Sequence, residues 1–142
     1  MSLPLRVVFF LSVVLSMSGC QPELDLPWFV QVDTWCDSTD PETTEDPLPF
    51  DIWARVNHDR GPEAVEWVWV DVSFVEYDGV DGTIFLTPIA SFDLLQTETV
   101  DEWAVRVESG ATPLDCAYDF DYHFLFSVED DDGDRTQADF IN

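Results

Sequence analysis

The stretch YHFLFSVEDDDGDRTQADF, Tyr122–Phe140, decides the fold. Apolar residues recur at every second position up to Val128, which is the period of a strand with one buried face. The Asp and Gly residues that follow favour a tight turn, and RTQADF resumes an extended pattern. The stretch therefore predicts a hairpin of two antiparallel strands. Its alternation continues backwards into AYDFD, so we expect Tyr118 and Phe120 to face inward as well.

Further segments repeat this period of two. The first, WFVQVDTWC (28–36), sets Trp28, Val30 and Val32 opposite Phe29, Gln31 and Asp33. The others are PFDIWARVNHD (49–59), EWVWVDVSFVEYDG (66–79), the short TIFLTP (83–88), the ambiguous SFDLLQT (91–97) and EWAVRVESG (102–110). No segment shows the helical period of about 3.6 residues. Seven or eight strands separated by turn residues predict an all-β protein, with a two-layer antiparallel sandwich as the economical arrangement.

The hairpin, together with PFDIWARVNHDRG (49–61) and VEWVWVDV (65–72), resembles bacterial immunoglobulin-like and fibronectin-type modules. The resemblance implies an immunoglobulin-like antiparallel β-sandwich domain over residues 28–142.

The N-terminal segment has the features of an export signal. Arg6 precedes the apolar run VVFFLSVVL (7–15), which is shorter than the about 20 residues of a spanning helix. The MSGC sequence ending at Cys20 resembles the lipobox of bacterial lipoproteins. The resemblance implies a signal peptide over 1–19, a lipidated Cys20 and a tether over 20–27; an ordinary secretory signal is the alternative. In lipoproteins of double-membraned bacteria an Asp after the lipidated cysteine commonly retains the protein at the inner membrane, so the resemblance, with Gln21 at that position, implies the outer membrane.

The charge of the chain restricts its partners. Thirty acidic residues oppose five basic ones, all arginine, for a formal net charge of −25. Such a surface repels nucleic acids and anionic lipid head groups. We therefore expect membrane contact only through the lipid anchor, with another protein or an envelope polymer as the partner. The acidity fits either a saline habitat or a genome that favours Arg codons. Hydrophobic residues make up 46%, enough for a folded core.

The two cysteines beyond Cys20 are expected to pair, because exported proteins fold in an oxidising compartment. Cys36 ends the first predicted strand and Cys116 precedes the sixth. In an immunoglobulin-like sandwich these two points lie at the same end of the domain. Two free or intermolecular thiols are the alternative.

The acidic turn EDDDGD (129–134) suggests Ca²⁺, which prefers carboxylate oxygens. The candidate ligands are Asp130, Asp132 and Asp134. The EF-hand frame fails, because its first ligand position would fall on Val128. A solvated hairpin turn is the preferred interpretation, and we expect no cofactor.

Trp67 and Trp69 share one face of their predicted strand, and valines occupy the other. If the valines form the core, the two indoles form an exposed aromatic platform of the kind that binds sugars or proteins. The alternative is that one or both indoles pack beneath a loop or in the core. His58, in a turn, and His123, on an outward face, are expected at the surface.

These observations predict a lipid-anchored, non-enzymatic protein of the cell envelope that binds another protein or supports the envelope. A carbohydrate-binding module that uses the two tryptophans is the alternative. No nucleophile or phosphate-binding motif is present, so the third hypothesis, a small hydrolase with two facing carboxylates, is the least favoured.

Overall fold

The computed structural model describes residues 25–36, 49–108 and 113–141. This part of the chain contains seven strands. They are β1 (Trp28–Cys36), β2 (Phe50–Asn57), β3 (Val65–Tyr77), β4 (Ile84–Gln96), β5 (Glu102–Val107), β6 (Tyr122–Asp130) and β7 (Arg135–Ile141). Two short 3-10 helices, Pro62–Ala64 and Cys116–Asp121, precede β3 and β6. The all-β prediction is confirmed. The signal segment and Cys20 lie outside the described residues.

The strands form one antiparallel sheet with the order β1-β2-β5-β4-β3-β6-β7. The sheet is nearly closed, because β1 at one edge lies against β7 and β6 at the other. Phe29 of β1 packs edge-to-face on Phe126 of β6, with ring centroids 6.1 Å apart. Phe50 of β2 contacts Phe124 of β6 at 5.8 Å. Strands that are distant in the order therefore face each other across a shared core.

The core is built from the alternation that the sequence shows. In β2 every second side chain is buried and its neighbours point outward. The same alternation holds from Val68 to Val72 in β3 and from Tyr122 to Phe126 in β6, whereas Val75 and Ser127 are buried out of this alternation. The side chains that are at most 2% exposed include Phe50, Ile52, Ala54, Val56, Val68, Val70, Val72, Tyr122, Phe124, Phe126 and Val128. Aromatic and β-branched side chains suit this half-buried sheet surface.

The disulfide joins the two ends that the sequence analysis places together. Cys36 ends β1, and Cys116 opens the 3-10 helix that leads into β6. The two residues are bonded, with their Cα atoms 5.8 Å apart and 80 positions apart in sequence. The predicted pairing is therefore present in the structure.

The expected faces of β1 are wrong because of a β-bulge between Phe29 and Gln31. An extra residue in one strand exchanges the faces on either side of it. Phe29 and Val32 consequently pack against the core, whereas Trp28 and Val30 are 37% and 54% exposed.

Two further details differ from the sequence prediction. TIFLTP and SFDLLQT belong to a single strand, β4, whose pairing with β3 is interrupted by a register shift between Val72 and Ser73. The inward alternation also does not extend back to Tyr118 and Phe120, which are 52% and 78% exposed in the 3-10 helix. A 3-10 turn has about three residues per turn, so positions two apart no longer share a face.

In the described residues no helix is both long and apolar enough to cross a membrane.

Candidate binding surface

The two tryptophans of β3 lie on the outer face of the sheet. Val68 and Val70, on the opposite face, are 2% and 0% exposed. The valine face is therefore the core. Trp67 is 56% exposed, and Trp69 is half-buried. The structure thus brings both indoles to the surface, but leaves only Trp67 widely open.

Cross-strand pairing places two charged residues beside these indoles. Trp67 pairs with Glu129 of β6, which in turn pairs with Arg135 of β7. The Arg135 guanidinium forms an ion pair with Glu129 and lies over the Trp69 ring, 5.4 Å from its centroid. We call these four residues the Trp–Arg cluster: Trp67, Trp69, Glu129 and Arg135.

Polar side chains surround the Trp–Arg cluster. Trp69 pairs with Ser127 on β6 and with Asp93 on β4. Ser127 accepts a hydrogen bond of 3.1 Å from Gln137 Nε2. Ser127 is only 1% exposed, so the exposed polar side chains near Trp69 are those of Asp93 and Gln137.

The stacked guanidinium changes what this surface can bind. A cation over an indole face is attracted by the negative ring quadrupole, and it covers that face. Arg135 therefore covers Trp69, and the two indoles do not offer a pair of open faces to a sugar chain. Trp and Arg are residue types that are enriched among those that contribute most to protein–protein binding energy.

A second Trp–Arg pair lies on β2. The Arg55 guanidinium is 5.6 Å from the Trp53 ring centroid and forms ion pairs with Asp101 and Glu102. Trp53 itself is half-buried. This pair has no widely exposed indole within it, so the Trp–Arg cluster on β3 is the stronger candidate.

The acidic turn is organised around one buried side chain, Asp130, which is 0% exposed. Its Oδ1 accepts backbone N–H hydrogen bonds from Asp132 and Asp134, at 3.0 and 2.9 Å. Its Oδ2 lies 3.0 Å from His58 Nε2. Both carboxylate oxygens are therefore engaged by the protein.

The three candidate calcium ligands do not converge. The side chains of Asp132 and Asp134 are exposed, while that of Asp130 is turned into the protein. Among residues 25–36, 49–108 and 113–141 no three potential ligands form a metal-binding group. The turn residues instead serve the backbone, as expected for an Asx-type turn.

The expectation that His58 lies at the surface is wrong, since it is only 2% exposed. Its Nδ1 accepts a 3.0 Å hydrogen bond from the backbone N–H of Arg60. An accepting Nδ1 carries no proton, so the proton resides on Nε2 and is donated to Asp130. The sequence gives no sign of this pair, because its members lie 72 positions apart. His123, also expected at the surface, is partly exposed and bonds Asp139 at 2.7 Å.

Two opposing effects act on the pKa of Asp130. Burial alone would raise it, because a charged carboxylate loses water. The hydrogen bonds from Asp134, His58 and Asp132 stabilise the carboxylate and outweigh burial, so the pKa of Asp130 lies below its ordinary value. Asp130 is therefore ionised at neutral pH and fixes the turn.

The same polar group reaches the start of the described chain. Arg60 Nε lies 3.2 Å from Asp25, and Asp25 lies 3.8 Å from His58 Nδ1. The Arg60 guanidinium also forms ion pairs with Asp131 and Asp132 in the acidic turn. Asp25, three residues before β1, is thereby fixed to the end of the domain that carries the β2–β3 and β6–β7 connections. Comparison with protein-family models, with curated proteins and with solved structures found no match to this chain.

Proposed function

We propose that this protein is a lipid-anchored, non-enzymatic component of the bacterial cell envelope whose β-domain binds another protein through the Trp–Arg cluster. The observation that carries the proposal is the pairing of an open indole, Trp67, with the Arg135–Glu129 ion pair on a rigid sheet. Trp and Arg are enriched among residues that contribute most to protein binding. Rigid positioning lowers the entropy lost when a partner docks.

The domain is proposed to be an immunoglobulin-like sandwich. Two core contacts support this, since Phe29 with Phe126 and Phe50 with Phe124 join β1 and β2 to β6, a strand that is not their neighbour in the sheet order. Antiparallel sandwiches of this class present flat outer faces and leave the layer between the sheets filled with side chains. Binding would then occur on an outer face, where the Trp–Arg cluster lies.

The anchor is proposed to be a lipidated Cys20 after removal of residues 1–19, with the outer membrane as the favoured location. The contacts of Asp25 with Arg60 support a defined attachment point. Only a few residues would separate the lipid from the fixed end of the domain. The β2–β3 and β6–β7 connections would then lie nearest the membrane, and the Trp–Arg cluster would lie next to them on the outer face, because Glu129 and Arg135 flank the β6–β7 turn.

Charge supports a protein partner and argues against nucleic acid. Removal of 1–19 would take away one Arg and no acidic residue, making the net charge of −25 more negative by one. Such a domain attracts cationic surfaces and repels phosphate backbones. A basic or mixed protein surface would complement it.

A carbohydrate-binding module is the second candidate. Its support is the 56% exposure of Trp67 together with the exposed polar side chains of Asp93 and Gln137 near Trp69, since sugars bind to an open aromatic face with hydrogen-bonding groups around it. In that case a single indole, rather than two coplanar ones, would carry the stacking.

Capture from detergent-solubilised envelope, compared between variants, separates these candidates. Trp67→Ala should abolish capture of a specific protein, whereas Trp35→Ala should not; Trp35 is 45% exposed on β1 and provides a matched control. Parallel binding measurements with envelope polysaccharides test the alternative. If Trp67→Ala abolishes a saturable binding of polysaccharide but captures the same proteins as the wild type, the carbohydrate-binding function replaces the protein-binding proposal.

The anchor is tested separately with Cys20→Ser. The variant should lose incorporation of labelled fatty acid and move to the soluble periplasmic fraction. A variant that stays in the membrane and is still labelled would contradict the proposed lipidation.

A further inference from the structure

The β3–β4 hairpin extends beyond the rest of the sheet. The pairing of β3 with β6 ends at Phe74 and Tyr122, whereas its pairing with β4 continues to Tyr77 and Ile84. The projecting part is a two-stranded arm, residues 75–86, which we call the β3–β4 arm. Val65, at the other end of β3, pairs with Asp130. The arm therefore lies at the opposite end of the domain from the group around Asp25, about 40 Å away for a 13-residue strand.

One face of the arm is apolar and exposed. Tyr77 pairs with Ile84, and Val75 pairs with Leu86. Directly opposed residues share a face, so these four side chains adjoin one another, with Val75 buried at 6% exposure and the other three open to solvent. Tyr77, Ile84 and Leu86 are 69%, 58% and 48% exposed. The patch is larger than the isolated apolar side chains found on most surfaces.

The arm also has an open strand edge. Beyond β3, β4 pairs only with β5, and only through Leu95 and Gln96. In the part of the chain that the structure describes, Ile84–Asp93 has a strand neighbour on one side alone. An edge of this kind offers backbone N–H and C=O groups to an added strand.

The alternating direction of the backbone hydrogen bonds along β4 shows which of its N–H and C=O groups point to the open edge. The Asp78 N–H donates to the Thr83 carbonyl at 2.8 Å, so the backbone of residue 83 points towards β3. Backbone groups alternate in direction along an antiparallel strand. Ile84 and Leu86 therefore direct their N–H and C=O groups to the open edge. The backbone of Pro88 also points to the open edge, so the N–H that proline lacks would not have bonded to β3.

The arm carries only negative charge. Its acidic residues are Glu76, Asp78 and Asp81, and the sequence from Phe74 to Pro88 contains no Lys or Arg. Asp78 and Asp81 accept backbone hydrogen bonds from Val80 and Thr83, both at 2.8 Å, which fix the tip. An added strand would complement this environment with basic side chains.

We propose that the β3–β4 arm accepts an extended, basic segment of a partner protein, which adds to the edge of β4 at Ile84–Leu86. The backbone of the segment would bond Ile84 and Leu86. Its apolar side chains would contact the Tyr77–Leu86 face, and its basic side chains would lie near Glu76 and Asp81. This rests on the proposed protein-binding function and adds to it a second contact, remote from the anchor.

A second copy of this chain fits the arm less well. Both copies would carry a net charge of −25, and strand addition would bring two acidic arms together. Like charges at short range oppose such pairing. A basic segment meets no such repulsion.

The proposal is tested with a fluorescein-labelled octapeptide of alternating Lys and Val, at physiological salt. A control peptide of equal charge carries Pro in place of the central Val residues and cannot pair as a strand. The wild type should bind the first peptide at least about fivefold more tightly than the control peptide. This ratio of affinities corresponds to the net contribution of one backbone hydrogen bond. Equal binding of both peptides would show charge attraction alone and would overturn the proposal.

Two variants separate backbone pairing from side-chain contact. Leu86→Pro removes the N–H that residue 86 directs to the open edge, as Pro88 already does two positions later. This variant should bind the Lys–Val peptide at least about fivefold more weakly than the wild type does. Leu86→Thr keeps the N–H and should retain most of that affinity. If Leu86→Pro binds as tightly as Leu86→Thr, strand addition is excluded.

Hydrogen exchange on the wild type gives a reading that does not depend on how a variant folds. Peptide should slow exchange at Ile84 and Leu86, and absence of added protection there would contradict the proposal. Slow exchange at both without peptide, together with a dimeric mass, would make a second copy the occupant instead. If the peptide fails while Trp67-dependent capture persists, only the strand-acceptor proposal is lost.

Discussion

His58 Nε2 lies 3.0 Å from Asp130 Oδ2, and both side chains are completely buried. This contact joins the β2–β3 connection to the β6–β7 turn. Because Nδ1 of His58 accepts the Arg60 N–H, the neutral ring can donate only from Nε2. The pair therefore has one tautomer that satisfies every group, and it holds the end of the domain to which Asp25 is fixed.

Asp130→Asn should lower the free energy of unfolding by about 2–3 kcal/mol, the cost of leaving buried polar groups mismatched. If the amide oxygen keeps the N–H bonds of Asp132 and Asp134, the amide NH₂ faces the Nε2–H of His58. A change of tautomer would then leave the Arg60 N–H without its acceptor. Chemical denaturation measures the change. Asp59→Asn, in the exposed part of the β2–β3 turn, should stay within about 0.5 kcal/mol of wild type.

The contribution of Asp130 should also depend on pH in a defined direction. Its pKa is lower in the folded state than the ordinary 3.8. Its stabilisation is thus complete above 3.8 and is lost as the pH falls through the folded pKa, because the unfolded chain binds the proton first. Unfolding curves of wild type and Asp130→Asn should therefore converge in acid. A difference that stays constant down to pH 2 would contradict the lowered pKa.

The sequence predicts the strands with one fully buried face, because alternation there follows directly from burial. β2 and the central part of β3 have the predicted faces, and so do the aromatic positions of β6, but the buried Val75 and Ser127 break the alternation. The pattern does not predict the bulge after Phe29 or the 3-10 helix before Tyr122, since both depend on how the chain meets its neighbours. Backbone geometry of this kind leaves little trace in a hydrophobic pattern.

The candidate surface is predictable only in part. The outward position of Trp67 follows from the buried valines beside it. The stacking of Arg135 on Trp69 requires β3 to lie next to β6, and alternation along one strand says nothing about its neighbours. The burial of His58 likewise depends on a partner that the fold brings from the distant hairpin turn.

The disulfide should be present in the mature protein and should stabilise it substantially. Mass spectrometry without reduction should show a peptide that links Cys36 to Cys116. Replacing both cysteines with serine should cost about 4.5 kcal/mol in the chain-entropy model for a loop of 80 positions. Quantitative alkylation of both thiols before reduction would contradict the pairing.

Monovalent salt should raise the melting temperature smoothly, because screening weakens repulsion among 30 acidic residues. Calcium should add no saturable increase beyond that of magnesium, since Asp130 has both oxygens engaged by protein groups. Thermal unfolding in NaCl, MgCl₂ and CaCl₂ measures this. A calcium-specific increase that Asp132→Asn removes would restore the acidic turn as a metal site.

Photo-crosslinking in living cells tests the proposed protein-binding surface most directly. A benzophenone amino acid replaces Gln137, which is exposed on β7 next to the Trp–Arg cluster, in one variant and Val30, 54% exposed on β1, in another, so that all four cluster residues are kept. Binding through the Trp–Arg cluster predicts a discrete crosslinked product containing a second protein from position 137, and none from position 30. No product from position 137, or the same products from both positions, would contradict the claim that this face binds a protein partner.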